Sequence, residues 1–246
     1  MSNKEWFAQW FDSSYYHILY QERDHTEAEQ FMSRLMAYLK PSQTAQIVDL
    51  ACGKGRHAIY LNKLGYQVTG VDLSQQSIAA ANEFQSNTLS FEVKDLRKLD
   101  YHAEFDLALN LFTSFGYFDS FEVNVQVLEG IHQALKPNGL LLIDFFNCKT
   151  VLENLVPSET KHLSGIQFHL EKTLHDHSIV KDIRFTDKGQ NYHYQEKVQA
   201  LSQFDFIHML QQTGFEIQQT WGNYNLIPFD ENNAERLIIL AGKKHA

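Results

Sequence analysis

The chain has 246 residues, with 30 acidic and 21 basic side chains and a formal net charge of −9. Its 43% hydrophobic content and two cysteines are typical of a globular protein and exclude a disordered, collagen-like or disulfide-framework chain. The acidic balance argues against a large contact with nucleic acid, which needs clustered basic residues. The longest apolar run, residues 139–146, is too short to span a membrane, and the N-terminus lacks the apolar core of a signal peptide. We expect a cytoplasmic protein with reduced thiols and no membrane or nucleic-acid partner.

The first 40 residues predict a helical arm. A capping box that starts at Thr26 begins its second helix, which ends before Pro41. Upstream, Tyr16, Tyr20 and Arg23 are spaced so that a helix places them on one face. That spacing suits either an aromatic packing stripe or a lid that closes over a ligand.

Beyond the arm, short apolar strands alternate with helices. The predicted strands cover residues 46–50, 67–71, 89–93, 105–111 and 140–145, and the predicted helices cover 56–64, 74–83 and 121–135. We expect Lys136-Pro-Asn-Gly139 to end the last of these helices. Five strands separated by helices at this spacing predict a doubly wound, mostly parallel sheet.

The pattern changes after the fifth strand. Apolar residues then alternate with polar ones, and the short connections predict antiparallel strands near residues 166–170, 178–185 and 191–199. A helix that starts at Ser202 follows, and two further strands cover 215–221 and 236–242. The predicted fold is an α/β, Rossmann-like, seven-stranded sheet with an N-terminal helical arm and an antiparallel insertion.

Three units follow from this organisation. They are an arm or lid (1–40), a core (41–150 and 200–246) and an insertion (151–199) that covers a substrate site. The insertion exceeds the usual length of a connection between elements, which favours a functional role for it.

A glycine-rich turn after the first strand carries the most informative chemistry. Gly53 and Gly55 allow the backbone to bend and to approach a ligand closely, and the helix that follows offers free N–H groups. Asp72 ends the second strand, where a carboxylate can accept hydrogen bonds from a ribose diol. Asp95 follows the third strand and can accept from an exocyclic amine. Ligands of open α/β sheets bind at this carboxyl edge.

The turn is compatible with more than one cofactor. Residues 53–58 also fit Gly-x-Gly-x-x-Ala, a dinucleotide fingerprint. Asp49 argues against a dinucleotide because its carboxylate would repel a pyrophosphate, and the hairpin-type ending of the sheet is unlike an all-parallel dinucleotide sheet. An NAD-dependent oxidoreductase and a nucleotide-binding protein without transfer activity both stay open as alternatives.

Several motifs in order resemble those of the class I S-adenosylmethionine-dependent methyltransferases. They are Val48-Asp-Leu-Ala-Cys-Gly-Lys-Gly-Arg-His57 (motif I), Gly70-Val-Asp-Leu-Ser74, Lys94-Asp-Leu96, the segment 105–118 after and along the fourth strand, and Lys136-Pro-Asn-Gly-Leu140. The resemblance covers residues 45–148 and, more weakly, 202–244. The arm and the insertion resemble the small-molecule branch of that family.

The resemblance implies a set of site residues. Those that would bind S-adenosylmethionine are Asp49, Ala51, Gly53, Gly55, Arg56, Asp72, Leu73, Asp95, Leu96, Asn110 and Leu111, joined from the arm by Tyr20 and Arg23. Apart from the resemblance, the positions of Tyr16 on the arm and of Phe115 and Tyr117 after the fourth strand suit either core packing or the acceptor side of the site, and Tyr117 is also the candidate catalytic group. The implied reaction is an in-line transfer of the sulfonium methyl to a small-molecule acceptor.

Other chemistries have weaker support. His175 and His177 are too few for a zinc site, so we expect no metal. Cys52 lies at a helix N-terminus, which lowers a thiol pKa, but its place in the turn favours a small packing residue over a nucleophile. His57 suits a structural role. The fourth strand ends without Asn/Asp-Pro-Pro-Tyr, which disfavours methylation of a base amine; the acceptor and the oligomeric state stay open.

Overall fold

The computed structural model describes residues 6–21, 25–118 and 120–244. The helices span Trp6–Trp10 (α1), Ser14–Leu19 (α2), His25–Leu39 (α3), Arg56–Lys63 (α4), Gln75–Ala81 (α5), Phe121–Ala134 (α6), Cys148–Glu153 (α7) and Gln203–Gln212 (α8). The strands span Gln46–Leu50 (β1), Gln67–Asp72 (β2), Leu89–Val93 (β3), Phe105–Asn110 (β4), Leu135–Phe146 (β5), Ser158–Leu163 (β6), Ile166–His175 (β7), Ser178–Asp187 (β8), Gln190–Gln199 (β9), Phe215–Trp221 (β10) and Arg236–Lys243 (β11).

Seven strands form the central sheet, in the order β10-β11-β5-β4-β1-β2-β3. Strands β1 to β5 are parallel, and β11 pairs antiparallel with both β5 and β10. The predicted fold class is therefore confirmed, including the antiparallel final strand. In this arrangement the carboxyl ends of β1, β2, β3 and β4 meet at one edge, where ligands of such sheets bind.

Helices cover both faces of the sheet. Neighbouring strand residues face opposite sides, so Ile47 packs toward α3, α4 and α5 while Val48 packs toward α6 and α8. Each face has its own apolar core, in which Phe31 and Phe206 are fully buried. Within the described ranges no helix has the length and apolarity to cross a membrane.

The start of β5 differs from the prediction. Residues 136–139, which we expected to form a turn outside the strand, lie within β5 as an irregular stretch. Phe105 pairs with Leu135 and Leu107 pairs with Leu140, so four residues stand opposite Asp106 alone. The Lys136 ammonium contacts the Asp106 carboxylate at 2.8 Å across this bulge. This ion pair joins the irregular Lys-Pro-Asn-Gly segment to the neighbouring strand β4.

The arm divides into two parts. Helix α3 packs on the central sheet, and it begins at His25, so Thr26 lies inside the helix rather than at its cap. The prediction of a capping box at Thr26 was wrong in position. Helices α1 and α2 are short and pack elsewhere, with Ser13 capping α2 through the Tyr15 backbone N–H.

The insertion forms a separate four-stranded antiparallel sheet in the order β6-β7-β8-β9. Two-residue loops join its strands, and both residues of each loop have positive φ, as in residues 164–165, 176–177 and 188–189. Such loops match the right-handed twist of paired strands. The sequence analysis predicted the three longer strands, but missed β6 and the helix α7.

Helices α1 and α2 share a core with this second sheet. Trp10 and Leu19 are buried against Phe168, Ile183 and Phe185. We refer to residues 6–21, which contain α1 and α2, together with β6–β9 as the cap. The cap therefore consists of two segments that are more than 130 residues apart in the chain.

A buried polar cluster holds the two segments of the cap together. The Glu196 carboxylate on β9 accepts hydrogen bonds from Trp10 Nε1 (2.6 Å), from the Tyr20 hydroxyl (2.7 Å) and from Lys181 Nζ (2.7 Å). Burial, the largest influence, acts to raise the pKa of Glu196, but Lys181 and the two neutral donors together hold that pKa below its usual value. Glu196 thus stays ionised inside the cap.

We expect the Lys181→Met variant to lower the free energy of unfolding by about 3 kcal/mol, because it leaves the Glu196 carboxylate buried without a counter-charge. Urea denaturation measures the effect. The control is Lys161→Met, whose ammonium lies 3.7 Å from Glu159 and is half exposed, so it should cost little. Adding Glu196→Gln to Lys181→Met should recover part of the loss; equal losses at Lys181 and Lys161 would show that the cluster contributes nothing.

Candidate active site

One cavity of about 420 Å³ lies between the carboxyl edge of the central sheet and the cap. Its lining residues are Phe7, Phe11, Tyr16, His17, Tyr20, Gln21, Asp49, Ala51, Cys52, Gly53, Lys54, Arg56, His57, Asp72, Leu73, Ser77, Lys94, Asp95, Leu96, Leu111, Phe112, Ser114, Tyr117 and Phe118. Its volume falls within the range of small-molecule sites.

Most of the predicted site residues line this cavity. Those are Tyr16, Tyr20, Asp49, Ala51, Gly53, Arg56, Asp72, Leu73, Asp95, Leu96, Leu111 and Tyr117. Gly55, Asn110 and Phe115 lie outside the lining, and Arg23 falls outside the described residues. Sequence analysis did not propose Phe7, Phe11 or His17, because nothing in the sequence shows that α1 and α2 face the sheet edge.

The glycine-rich turn has the backbone conformation that its sequence requires. Gly55 has φ +80°, and a side-chain Cβ there would lie 2.5 Å from the Phe91 ring. At Gly53, with φ +56°, a Cβ would have no heavy atom within 4 Å. Gly55 is thus needed for packing beneath the turn, whereas Gly53 leaves its backbone open to the cavity.

Asp72 connects the turn to the end of β2. Its carboxylate accepts hydrogen bonds from the backbone N–H of Gly53 and of Ser74, both at 2.8 Å. Burial raises the pKa of Asp72, although these backbone donors partly oppose the shift. The carboxylate is held at the base of the cavity with its orientation set by two different loops.

Asp49 is the most unusual ionisable group in the site. It is only 1% exposed, and its Oδ2 atom has no hydrogen-bond partner among the described residues. Burial raises its pKa to about 7, while the Ala58 backbone and the Arg56 guanidinium act in the opposite direction. A buried carboxylate oxygen that lacks a hydrogen-bond donor in the protein and belongs to a cavity-lining residue is expected to find its donor in a bound ligand.

Asp95 has a partner that the sequence analysis did not anticipate. Arg97 donates to it through the backbone N–H (3.0 Å), Nε and Nη2 (2.6 Å). Burial acts to raise the pKa of Asp95, but these bonds and the charge of Arg97 hold it below its usual value. The sequence could have indicated this ion pair, because the i, i+2 spacing in Asp95-Leu-Arg97 is compatible with a bidentate contact.

The loop after β4 is strained and braced from behind. Phe112 and Thr113 have φ of +56° and +60°, which non-glycine residues rarely adopt. The fully buried Asp144 accepts the Phe112 N–H (2.9 Å) and pairs with Arg236 Nε (2.8 Å), and the Tyr224 hydroxyl donates to it at 3.0 Å. This brace fixes the cavity wall formed by residues 111–114. The sequence could have indicated this brace, because Asp144 is a charged residue within an otherwise apolar strand.

Two predicted residues occupy other positions. Asn110 is fully buried, and its amide donates to the backbone carbonyls of Leu50 (3.4 Å) and Ser114 (3.3 Å). Phe115 lies in the core, where its ring packs 5.6 Å from that of Phe206. Phe115 does not line the cavity, because the loop turns its side chain toward α8 instead of the cap.

Tyr117 does face the cavity, within a group of rings. Its hydroxyl donates to the Thr113 carbonyl at 2.6 Å. Its ring lies 5.7 Å from Trp6 and 5.3 Å from Phe11, both in edge-to-face contact. Tyr117 therefore connects the braced loop to the cap.

The remaining candidates take structural positions. Burial raises the pKa of Cys52, with Asp49 and Asp72 adding to the effect, so the thiol is not activated by the helix N-terminus as its position suggested. His57 is 5% exposed, and its ring packs 5.5 Å from Phe112. Over the described residues, no group of three or more His, Cys, Asp or Glu could hold a metal ion.

Comparison with known proteins agrees with this geometry. Residues 47–139 match the family model described as a methyltransferase domain. A protein of Geobacillus sp. (strain WCH70) that is named as a methyltransferase is 28% identical over 199 residues, 78% of each chain.

Two solved structures share the fold. An S-adenosylmethionine-dependent methyltransferase from Clostridium acetobutylicum superposes with a TM-score of 0.79 at 19% identity, covering 94% of this chain and 96% of that one. CalS10 of Micromonospora echinaspora, an amino pentose methyltransferase solved with S-adenosylmethionine bound, superposes with a TM-score of 0.71 at 17% identity, covering 94% and 98%.

The fold and the site define a methyltransferase of the Rossmann-like type. Residues 47–139 form a methyltransferase domain, and the chain is an S-adenosylmethionine-dependent methyltransferase. The cavity fits that cofactor, because it offers an open glycine backbone at Gly53 and a buried carboxylate oxygen of Asp49 that needs a hydrogen-bond donor. Its enzymatic activity is methyl transfer from S-adenosylmethionine.

Asp49 makes the stability of the ligand-free protein depend on pH. Because its folded-state pKa of about 7 lies above the value of 3.8 expected when unfolded, its stabilising contribution is full below pH 4 and is lost as pH rises to about 7. The Asp49→Asn variant should lack that loss. Between pH 4 and about 7, its free energy of unfolding should therefore rise relative to that of the wild type by on the order of 4 kcal/mol. Denaturant titrations at several pH values measure the difference, and parallel curves would contradict the assignment.

Proposed function

We propose that the protein transfers the methyl group to a small-molecule acceptor that binds inside the cavity, between the glycine turn and the cap. The observation that carries the proposal is the continuity of this cavity from Gly53 on the sheet edge to Tyr16 and Tyr117 on the cap side. Donor and acceptor can therefore meet in one enclosed space. Enclosure of this kind orients the reactants and excludes water.

We assign the sheet edge to the cofactor. Asp72 would accept hydrogen bonds from the ribose hydroxyls, and Asp95 would accept from the adenine amine beside Leu96. Asp49 and Arg56, which line the cavity near the turn, would contact the charged methionine part. When bound, the cofactor supplies a sulfonium methyl that is already activated for transfer.

The shape and charge of the site support a small acceptor. Residues 6–21 of the cap line one side of the cavity, and its volume of about 420 Å³ is in the range of small-molecule sites. The net charge of −9 disfavours a nucleic-acid substrate. The structural neighbour CalS10 is named as an amino pentose methyltransferase, which agrees with a small acceptor.

The residues on the acceptor side have positioning roles in this proposal. The brace formed by Asp144 and Arg236 fixes Leu111 and Phe112 at the end of β4, where we place the reacting methyl. Tyr117 is held by Thr113 and closes the space toward the cap. A positioned acceptor and an excluded solvent are what an activated methyl group needs for in-line transfer.

We expect Asp72→Ala to weaken binding of S-adenosylhomocysteine by roughly 100-fold, because a buried carboxylate that accepts two hydroxyl groups is lost. Calorimetric titration measures this affinity, and circular dichroism checks that the fold is retained. Asp100→Ala is the matched control, since that carboxylate is exposed and pairs with Lys94.

Titration with NAD separates the proposal from its alternative. Micromolar binding of S-adenosylmethionine and S-adenosylhomocysteine without binding of NAD is the expected result. Binding of NAD alone would favour the dinucleotide interpretation of residues 53–58, and unchanged affinity in Asp72→Ala would remove the ribose assignment.

A further inference from the structure

We propose that the acceptor is an amine and that an aromatic wall, formed by Phe11 and Tyr16 of the cap and by Tyr117 of the loop after β4, recognises it as a cation. This inference rests on the proposed function, because it assigns a chemical class to the acceptor of the same cavity. Three features support an amine acceptor: the residues on the cap side of the cavity, the contacts between the aromatic rings there, and the movement of charge during methyl transfer.

The cap side of the cavity is an aromatic wall. The ring centroids of Phe11 and Tyr117 are 5.3 Å apart, and those of Phe11 and Tyr16 are 5.0 Å apart, both at steep interplanar angles. Tyr20 continues the wall at 5.0 Å from Tyr16. Rings at such steep angles can turn their negative faces toward one shared volume from different sides, which is how aromatic rings enclose a compact cation.

Rings at the two ends of this wall already bind cations of the protein itself. The Arg97 guanidinium lies over the rings of Phe7 (5.6 Å) and Phe118 (5.0 Å). The Lys181 ammonium lies 5.2 Å from the ring of Tyr20. The wall is thus an environment in which positive charge is stabilised by ring faces, and the acceptor space lies between these two ends.

The charges on the wall also favour a cation over an anion. The described cap residues that line the cavity are four aromatic residues together with His17 and Gln21, and Lys54, Arg56 and Lys94 line its sheet side. Arg97 and Lys181, which contact the ends of the wall, are already paired with Asp95 and Glu196, so they are poor partners for a carboxylate or phosphate acceptor, and burying an unpaired anion is costly. A cationic acceptor needs only the ring faces, and the acidic chain attracts it from solution.

The movement of charge in the reaction matches this environment. The bound ammonium first releases one proton to solvent, which frees the nitrogen lone pair. That lone pair forms the N–CH₃ bond while the C–S bond breaks, and the electron pair of the C–S bond goes to sulfur. The positive charge thereby moves from the sulfonium to the acceptor nitrogen, which faces the rings in the transition state. The resulting ammonium of a primary or secondary amine then releases its proton to solvent. Rings placed where positive charge develops stabilise that transition state.

The test compares a cation with its uncharged isostere. The protein is saturated with S-adenosylhomocysteine and titrated calorimetrically with choline and with 3,3-dimethylbutan-1-ol, which has the same shape but no charge. We expect choline to bind at least tenfold more tightly than the alcohol. Equal affinities, tighter binding of the alcohol, or no binding of either probe would overturn the cation assignment.

Variants at Tyr16 test the role of the rings. Tyr16→Phe keeps the ring face and should retain the preference for choline, whereas Tyr16→Leu should reduce that preference severalfold and leave binding of the alcohol nearly unchanged. Tyr38→Leu is the control, because Tyr38 is half exposed on α3 and lies outside the cavity. An undiminished preference in Tyr16→Leu would contradict recognition by the rings.

The design separates the two proposals. Failure of S-adenosylhomocysteine to bind would overturn the proposed function itself. Binding of S-adenosylhomocysteine without discrimination between the two probes would leave methyl transfer in place and remove only the amine assignment.

Discussion

Burial of carboxylates around a single cavity is the electrostatic constraint on which this structure depends. Asp49, Asp72, Asp144 and Glu196 are all withdrawn from water, which strongly disfavours an ionised group unless something compensates it. Three of them are compensated by the protein. Asp144 has the guanidinium of Arg236, Glu196 has an ammonium and two neutral donors, and Asp72 has two backbone N–H groups. Asp49 keeps one oxygen without a partner.

The hydrogen-bond partners of each buried carboxylate distinguish those that stabilise the fold from the one that lacks a partner in the cavity. The pair of Asp144 with Arg236 costs desolvation energy, and in return it holds Phe112 and Thr113 in a conformation that they would otherwise avoid. The Glu196 cluster joins distant segments of the cap. Asp49 keeps one oxygen without a partner among the described residues, and burial is the main cause of its raised pKa. Backbone strain at Phe112 and a buried carboxylate at Asp49 thus both occur in the lining of the cavity.

The sequence predicted local features well and long-range pairing poorly. The bounds of β1 and β3 and the cap of α8 at Ser202 were predicted correctly, because apolar patterning and capping are encoded within a few residues. Trp10 and Tyr20 lie 186 and 176 positions from Glu196, and Tyr224 and Arg236 lie 80 and 92 positions from Asp144, so no local pattern indicates these partners. Phe115 was misplaced for a related reason, since the φ values of the preceding loop residues decide which way its ring points.

The cap and the cofactor turn are also joined directly, which couples the two halves of the site. Asp12, in the link between α1 and α2, accepts hydrogen bonds from the Ser74 hydroxyl (2.9 Å) and from the Gln76 backbone N–H (3.1 Å). Ser74 in turn donates its backbone N–H to Asp72. The short segment that orients Asp72 therefore also anchors the cap. Since residues 6–21 of the cap carry aromatic side chains of the cavity lining, one set of hydrogen bonds joins the Asp72 end of the cavity to its aromatic end.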